Sequence, residues 1–372
     1  MDQGLGQSRE GAPLAAGPGM AYLDMMTDFI IIGAGIAGLS AATTLRSLRS
    51  DAEILVLNGE QRPPYKRTSL SKRLADDPTN VDELQASRWY ETHEIELRNA
   101  TTVTGIDTAG KTVHLADGQS LAYGALLIAT GAAPTPPAPA ATLTTRGFRE
   151  MADAVSLRDD WLEAGEARII GGGILGVELA LQARRLGLPT TLHVRQRLLN
   201  SELPEALSER LAGVLAGLGI VLQPVPGDLA ALGADPRTWL AATGSAPRLD
   251  LARRAGLACG KGILVDQDFR TSDPAIHAAG DCAELPGGCI CHLGHDAENQ
   301  GQAAARAMAG WPAGYQARPW RTKLAAGDDF YFFMNPGKGP DLQRVDLPPV
   351  MAGAGPIIQY WWGDPDKVNG VA

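Results

Sequence analysis

Residues 28–46 read DFIIIGAGIAGLSAATTLR, and residues 167–187 read ARIIGGGILGVELALQARRLG. Each stretch is a short apolar strand, a G-x-G-x-x-G turn and the start of a helix. The glycines are Gly33, Gly35 and Gly38 in the first, and Gly171, Gly173 and Gly176 in the second. The first glycine of such a turn permits the sharp exit from the strand. The second lets backbone approach a pyrophosphate, and the third lets the helix close on the strand. The helix start then offers unpaired N–H groups and the positive end of its dipole to the phosphates. One such turn is weak evidence of a bound dinucleotide. Two in one chain imply two dinucleotides, and a protein that holds two usually passes electrons between them.

Composition narrows the alternatives. The 372 residues suffice for two or three domains, and 45% hydrophobic content is ample for their cores. A net charge of -9 argues against nucleic acid or an anionic membrane as the main partner. No apolar run approaches the ~18 residues of a membrane span. Residues 1–26 are rich in Gly and Ala and lack the apolar stretch of a signal peptide, so a disordered extension is expected, with Met20, Met25 or Met26 as candidate starts. The 4 cysteines, Cys259, Cys282, Cys289 and Cys291, do not form a secreted disulfide framework, and a reducing cytoplasm fits them best.

Outward from the first turn, residues 52–58 (AEILVLN) form the next strand, and Glu60 follows where an acid for a ribose is expected. Residues 62–72 read RPPYKRTSLSK, and residues 81–98 pass from helical to strand-like. Residues 103–131 have the alternation and turn residues of a β-meander that ends in an apolar strand. PTPPAPA at 134–140 is a Pro-rich linker between domains. Beyond the second turn, strands are expected over 167–170 and 190–195, and helices over 174–186 and 205–218. LAATG at 240–244 echoes LIATG at 127–131, so the second α/β unit is a weak repeat of the first, inserted within it. GILVDQDFRTSDPAIHAAGDCAE at 262–284 returns the chain to the first unit, and residues 300–309 form a closing helix. Residues 311–372 hold 10 of the 20 aromatics, too many for a disordered tail, so they should fold onto the body or onto a partner chain.

The ordered set GAGIAG, PYKRTSLSK, ATG, GGGILGVE, ATG and RTSDPAIHAAGDCAE resembles the FAD-dependent pyridine nucleotide oxidoreductases. Among them it is most similar to the rubredoxin, ferredoxin and flavorubredoxin reductases. The resemblance runs over about residues 27–312 and is poor beyond Trp320. It implies a glutathione reductase-like α/β fold of two Rossmann-like domains and a small C-terminal element. Residues 1–26 would be the extension, 27–149 with 267–312 the FAD domain, 150–266 a shortened NAD(P)H domain, and 313–372 the C-terminal element.

The same resemblance implies roles. Gly33, Gly35, Ile36, Ala37, Gly38 and Glu60 would hold the ADP half of FAD, with Arg67 beside it. Val103 would meet the adenine through its backbone. Ala129, Thr130 and Gly131 would run beneath the pyrophosphate, and Gly280 with Asp281 would hold the ribityl chain. Lys72 would lie near flavin N5 and pair with Glu178 beside the nicotinamide, the two acting as the catalytic pair. A lone charge at a dry flavin face is costly, whereas a pair is tolerable. Gly171, Gly173, Leu175, Gly176, Glu178, Arg195 and Gly244 would hold NAD(P)H. An NAD site places an acid at the end of TTLHVR, where this chain has Val194 and then Arg195. An Arg there suits a 2′-phosphate, so NADPH is expected over NADH.

Three departures matter. No cysteine precedes Cys259, so the dithiol relay of the related disulfide reductases is excluded. Cys289, Cys291, His292 and His295 lack a common zinc spacing, and no metal is expected. Residues 220–242 are too few for the three-stranded meander usual there, so one hairpin should be missing. The expected activity is hydride transfer from NAD(P)H to FAD, then electron transfer to a small rubredoxin- or ferredoxin-type carrier. A small-molecule reductase or oxidase, or an FAD-holding subunit assembled through the aromatic tail as a homodimer or heteromer, are the alternative readings.

Overall fold

Apolar runs without polar alternation suit strands covered on both faces, as in a parallel sheet. FIII at 29–32, ILVL at 54–57 and LLI at 126–128 are such runs, and all are buried in the computed structural model. The structure describes residues 26–135, 146–203, 205–225, 235–290, 292–317, 321–327, 329–334, 342–346 and 358–362.

The first sheet joins β1 (Met26–Ile32), β2 (Ile54–Leu57), β3 (Ile95–Arg98), β4 (Val103–Asp107), β5 (Thr112–Leu115) and β6 (Ser120–Ile128) in the order β3-β2-β1-β6-β5-β4. β6 serves two neighbours. Its start pairs antiparallel with β5 to make the meander, and its end pairs parallel with the late strand β14 (Ile276–Ala278). Helices α1 (Ile36–Leu48) and α8 (Gly294–Met308) pack tightly on one another. A Cβ on Gly301 would come within 2.1 Å of the Ala37 carbonyl oxygen, so only glycine allows this approach.

A two-stranded crossing joins the units, β7 (Ala132–Pro134) running antiparallel to β12 (Ser245–Pro247). Between them lies the second sheet, all parallel, in the order β10-β9-β8-β11: β8 (Ala167–Ile170), β9 (Thr190–Val194), β10 (Ile220–Pro224) and β11 (Trp239–Ala241). It is packed by α4 (Met151–Ala164), α5 (Ile174–Arg185) and α6 (Glu205–Gly217). Two short helices, α2 (Leu70–Arg73) and α3 (Ser87–Thr92), lie between β2 and β3. α2 belongs to the second core, because Tyr65, Leu70 and Leu74 bury themselves with Phe148, Met151 and Trp161.

Several sequence expectations shift. The return to the first unit comes earlier than residue 267. Leu249, Leu251 and Ala252, at and in α7 (Asp250–Arg254), and Leu257, Ile263 and Val265 beyond it are buried in the first core. Short strands β13 (Ile263–Leu264) and β15 (Ala283–Glu284) pair within this stretch. The closing helix begins at Gly294 rather than Gln300, since an alanine run hides where its polar first turns start. Pro134, expected in a linker, ends a paired strand, and residues 136–145 lie outside the described residues. Between β10 and β11 no antiparallel strand is added to the second sheet among the described residues.

The aromatic-rich tail contributes a four-stranded sheet, β16-β17-β19-β18, from β16 (Arg321–Ala326), β17 (Asp329–Met334), β18 (Leu342–Asp346) and β19 (Ile358–Trp362). It folds onto the second unit. Leu324, Ala326 and Tyr331 are buried in that core, and Arg210 of α6 donates to both Asp329 carboxylate oxygens at 3.0 and 3.1 Å. No helix among the described residues is long and apolar enough to cross a membrane.

Candidate functional site

The two glycine turns have nearly the same geometry. Gly33 has φ +106 and Gly171 φ +122, a region that β-carbon-bearing residues rarely adopt. A Cβ on Gly33 would lie 2.3 Å from the Ala129 carbonyl oxygen, and one on Gly171 would lie 2.1 Å from that of Ala242. Each turn therefore rests on the backbone of an A-T-G segment, Ala129–Gly131 in one unit and Ala242–Gly244 in the other. At Gly38 and Gly176 the Cβ would sit 1.9 Å from the carbonyl oxygen of the turn's first glycine. At Gly35 and Gly173, by contrast, an added Cβ would meet nothing within 4 Å. These middle glycines are not required by the protein's own packing. They cap α1 and α5 without any side-chain hydrogen bond, so the helix starts stay open to an anion. Ile36, Ala37 and Leu175 supply further N–H groups of these first turns.

Around the first turn the expected residues have partners. Glu60 accepts from Arg67 Nη2 at 2.5 Å and from the Tyr65 hydroxyl at 2.7 Å. The same hydroxyl accepts from the Met151 N–H at 2.8 Å, and burial followed by the Glu60 contact pushes its pKa far up. Arg67 also donates to the Arg149 carbonyl. Val103 opens β4 at the edge of this unit. Gly280 has φ +81, and its N–H donates to Gln300 Oε1 at 2.8 Å, which fixes the backbone that carries Asp281. Asp281 pairs with Arg149 Nη2 at 3.1 Å. Arg149 also stands 3.0 Å from where a Gly131 Cβ would be, so it lies over the A-T-G segment.

Arg149, Gln300 and Gly301 were not singled out in the sequence. Arg149 carries no local signal, since it lies 132 residues from Asp281 in the chain. Gly301 did carry one: a glycine inside an alanine-rich helix marks a close backbone approach.

The units meet through α2 and α5. Lys72 Nζ lies 3.4 Å from Glu178 Oε1, and the Ser71 hydroxyl donates to Glu178 Oε2 at 2.5 Å. One helical turn on, Gln182 accepts from the Ala75 N–H, and Arg185 pairs with Asp76. The charges are unequally placed, however. The Glu178 side chain is 12% exposed and that of Lys72 50%. The pair is a carboxylate sheltered under a lysine that reaches solvent, rather than two charges in a dry site.

Around the second turn, β9 runs in register with β8, and the Gly171 N–H donates to the His193 carbonyl. Val194 then stands against the turn, its Cγ1 2.8 Å from where a Gly172 Cβ would be. Arg195 is exposed and makes no hydrogen bond or ion pair among the described residues. Arg197 is steered by Asn200, whose side-chain and backbone oxygens it contacts at 2.7 and 3.1 Å.

Cys282, next to Asp281, is fully buried, and burial raises its thiol pKa, so it stays protonated and inert. Cys291 lies outside the described residues, and no metal-ligating group of three is found among those described.

A family model described as pyridine nucleotide-disulphide oxidoreductase matches residues 27–227 and 230–309. The ferredoxin–NAD(+) reductase subunit of the benzene 1,2-dioxygenase system of Pseudomonas putida is 33% identical over 314 residues, covering 77% of this chain and 75% of that protein. A rubredoxin-NAD(+) reductase of Pseudomonas putida is 31% identical over 326 residues, covering 78% and 83%. The crystal structure of NADH:rubredoxin oxidoreductase from Clostridium acetobutylicum superposes with a TM-score of 0.72 at 28% identity, over 87% of this chain and 86% of that one.

Proposed function

The chain belongs to the pyridine nucleotide-disulphide oxidoreductase family, and on that premise we propose that it carries electrons from NAD(P)H through FAD to a small iron–sulfur or rubredoxin-type protein. It is an FAD-dependent NAD(P)H oxidoreductase with a glutathione reductase-like fold. The observation that carries the reading is the doubled turn. Two sites share the same strained first glycine, the same A-T-G floor and the same uncapped helix start.

The first site fits FAD. Its middle glycine leaves room for a pyrophosphate, and Glu60 offers a carboxylate to a ribose. Arg149 and Asp281 supply a cation and an acceptor beside the A-T-G segment. Bound there, FAD supplies the step from a two-electron donor to one-electron acceptors. The protein's part is to hold charge. Arg149 and Asp281 would hold the polar chain of the cofactor. Lys72, fixed by Glu178 and Thr68, keeps a cation where the two units meet. A cation held there would favour negative charge on a bound flavin, tempered by solvent because the Lys72 side chain is 50% exposed.

The acceptor is external in this reading. The relatives named above are reductases of ferredoxin and rubredoxin, and Cys282 is buried and protonated. Arg62, Lys66 and Arg73 form an exposed basic stretch around α2, beside Lys72. An acidic carrier docked there would reach the edge of the flavin. Reducing conditions of a cytoplasm suit the buried thiol of Cys282, and β16 and β18, the outer strands of the C-terminal sheet among the described residues, offer edges to a second copy or another subunit.

The test is carrier-dependent NAD(P)H oxidation by the yellow holoprotein. Turnover should be slow in air alone and rise at least tenfold with a rubredoxin or a [2Fe–2S] ferredoxin. Rapid NAD(P)H consumption in air, unmoved by any carrier, would make the enzyme a small-molecule oxidase instead.

A further inference from the structure

We infer that the second dinucleotide site is built for the 2′-phosphate of NADPH, with Arg195 as its specificity residue and Arg197 in support. This rests on the function proposed above, and it separates the chain from relatives named as NAD(+) reductases.

In a Rossmann unit the residue group just past the second strand faces the adenosine ribose. A carboxylate there hydrogen-bonds the free 2′-hydroxyl, while an Arg accommodates a 2′-phosphate. The structure fixes which residues occupy that place. The pairing of β9 with β8 ends at His193, whose carbonyl accepts from the Gly171 N–H, so Val194, still paired with Pro224 of β10 on its other side, is the first residue past β8. Val194 packs against Gly172, and Leu199 donates back to the Gly172 carbonyl at 2.8 Å. The segment from Val194 to Leu199 is therefore clasped to the turn, and Arg195–Gln196–Arg197 forms its crest.

The first unit provides an internal control. There the Gly33 N–H donates to the Leu57 carbonyl, and Asn58, Gly59 and Glu60 follow. That crest carries a carboxylate. The second crest has no acid, and the Val194 side chain has no atom to accept from a diol. It carries two guanidinium groups instead. Arg197 is already oriented by Asn200, which leaves its Nη1 for a ligand. Arg195 is exposed and has no protein partner among the described residues. A free 2′-hydroxyl finds only neutral-acceptor hydrogen bonds here, from a guanidinium or the Gln196 amide, whereas a phosphate meets planar charged donors suited to it.

The test uses the FAD-loaded protein and two probes, 2′,5′-ADP and 5′-AMP, with binding read by calorimetry and flavin reduction by stopped flow. The wild type should bind 2′,5′-ADP about tenfold to a hundredfold more tightly than 5′-AMP, as charge-assisted hydrogen bonds predict. That preference should weaken as salt rises. Arg195→Ala should lose most of the preference while 5′-AMP binding stays the same. Arg197→Ala should lose a smaller part. Because Arg195 is exposed, neither its fold nor its FAD content should change. Equal binding of the two probes, or a preference indifferent to Arg195→Ala, would overturn the inference. If NADH and NADPH then reduced the flavin equally and a carrier still accepted electrons, the proposed function would stand without it. If neither reduced the flavin, the proposed function itself would fall.

Discussion

Glu178 is held by two groups of the other unit, Ser71 and Lys72, and is much the less exposed member of the ion pair. Removing Lys72 leaves a sheltered carboxylate with one hydroxyl, while removing Glu178 leaves a solvated lysine. Stranding the buried charge is the costlier change. Lys72→Met should therefore slow flavin reduction more than the double change Lys72→Met/Glu178→Gln. A double-mutant cycle on that rate should return a coupling of about 1–3 kcal/mol; strictly additive effects would mean the two groups act apart. Asp281 and Arg149 make the other charged contact of the proposed site. Asp281→Ala should weaken FAD binding by about 1–3 kcal/mol, the worth of a charge-assisted hydrogen bond, and Arg149→Ala should do likewise. Fluorescence of FAD released on dilution measures it, and an unchanged dissociation constant would remove these residues from the site. Of the two, only Asp281 was legible in the sequence, because it follows Gly280 in a recognisable motif. Arg149 was not, since folding alone brings together residues so far apart in the chain.

The strand–turn–helix elements were legible almost whole, and for a physical reason. A G-x-G-x-x-G turn is a local device, fixed by steric limits that one stretch of sequence states completely. The glycines of each turn nevertheless do different work, and this gives a prediction. Gly38 cannot accept a Cβ without displacing the Gly33 carbonyl, so Gly38→Ala should destabilise the fold by about 1–3 kcal/mol or more, as overpacking does. Gly35 has open space and an ordinary φ of -69. Gly35→Ala should leave the urea midpoint of the apoprotein unchanged yet strip the protein of FAD. Gly173→Ala should spare FAD and weaken only the nicotinamide dinucleotide. Loss of fold in Gly35→Ala, or retention of FAD, would show that the space is not the cofactor's. What was illegible at this scale was where elements end against other elements. The early return at α7 is set by the first core, a partner across the fold that no local pattern names.

At the scale of the whole molecule, the tail shows the limit of composition. Its aromatic content said that it folds; only the structure shows that β16 and β17 join the second unit through Leu324, Tyr331 and the Arg210–Asp329 pair. Acid stability is also a property of the whole fold. His277 on β14 is 3% exposed, neither ring nitrogen has a hydrogen-bond partner among the described residues, and burial lowers its pKa to about 4. The unfolded chain takes that proton first, at about 6.5. Its contribution is therefore full above that value and is lost as pH falls from there towards about 4. His193, lowered in the same direction by burial, adds to the effect. Urea unfolding should show about 2 kcal/mol less stability at pH 5 than at pH 7 from His277, and His277→Leu should flatten that slope; an unaltered slope would place the acid sensitivity elsewhere. Docking of a carrier is the other global property. If it uses Lys66 and Arg73, reduction of an acidic carrier should slow as salt rises, because screening shortens to ~8 Å at physiological ionic strength, and charge reversal at both should abolish that dependence. The central claim, electron flow from NAD(P)H through FAD to a protein carrier, is tested most directly by anaerobic double-mixing stopped flow. The protein is first bleached with one equivalent of NADPH, then mixed with oxidised rubredoxin or [2Fe–2S] ferredoxin while flavin and carrier absorbances are followed together. The account predicts that the flavin colour returns as the carrier is reduced, with two carriers reduced per flavin. A bleached flavin that stays bleached before every carrier, yet recolours at once when oxygen is admitted, would contradict it.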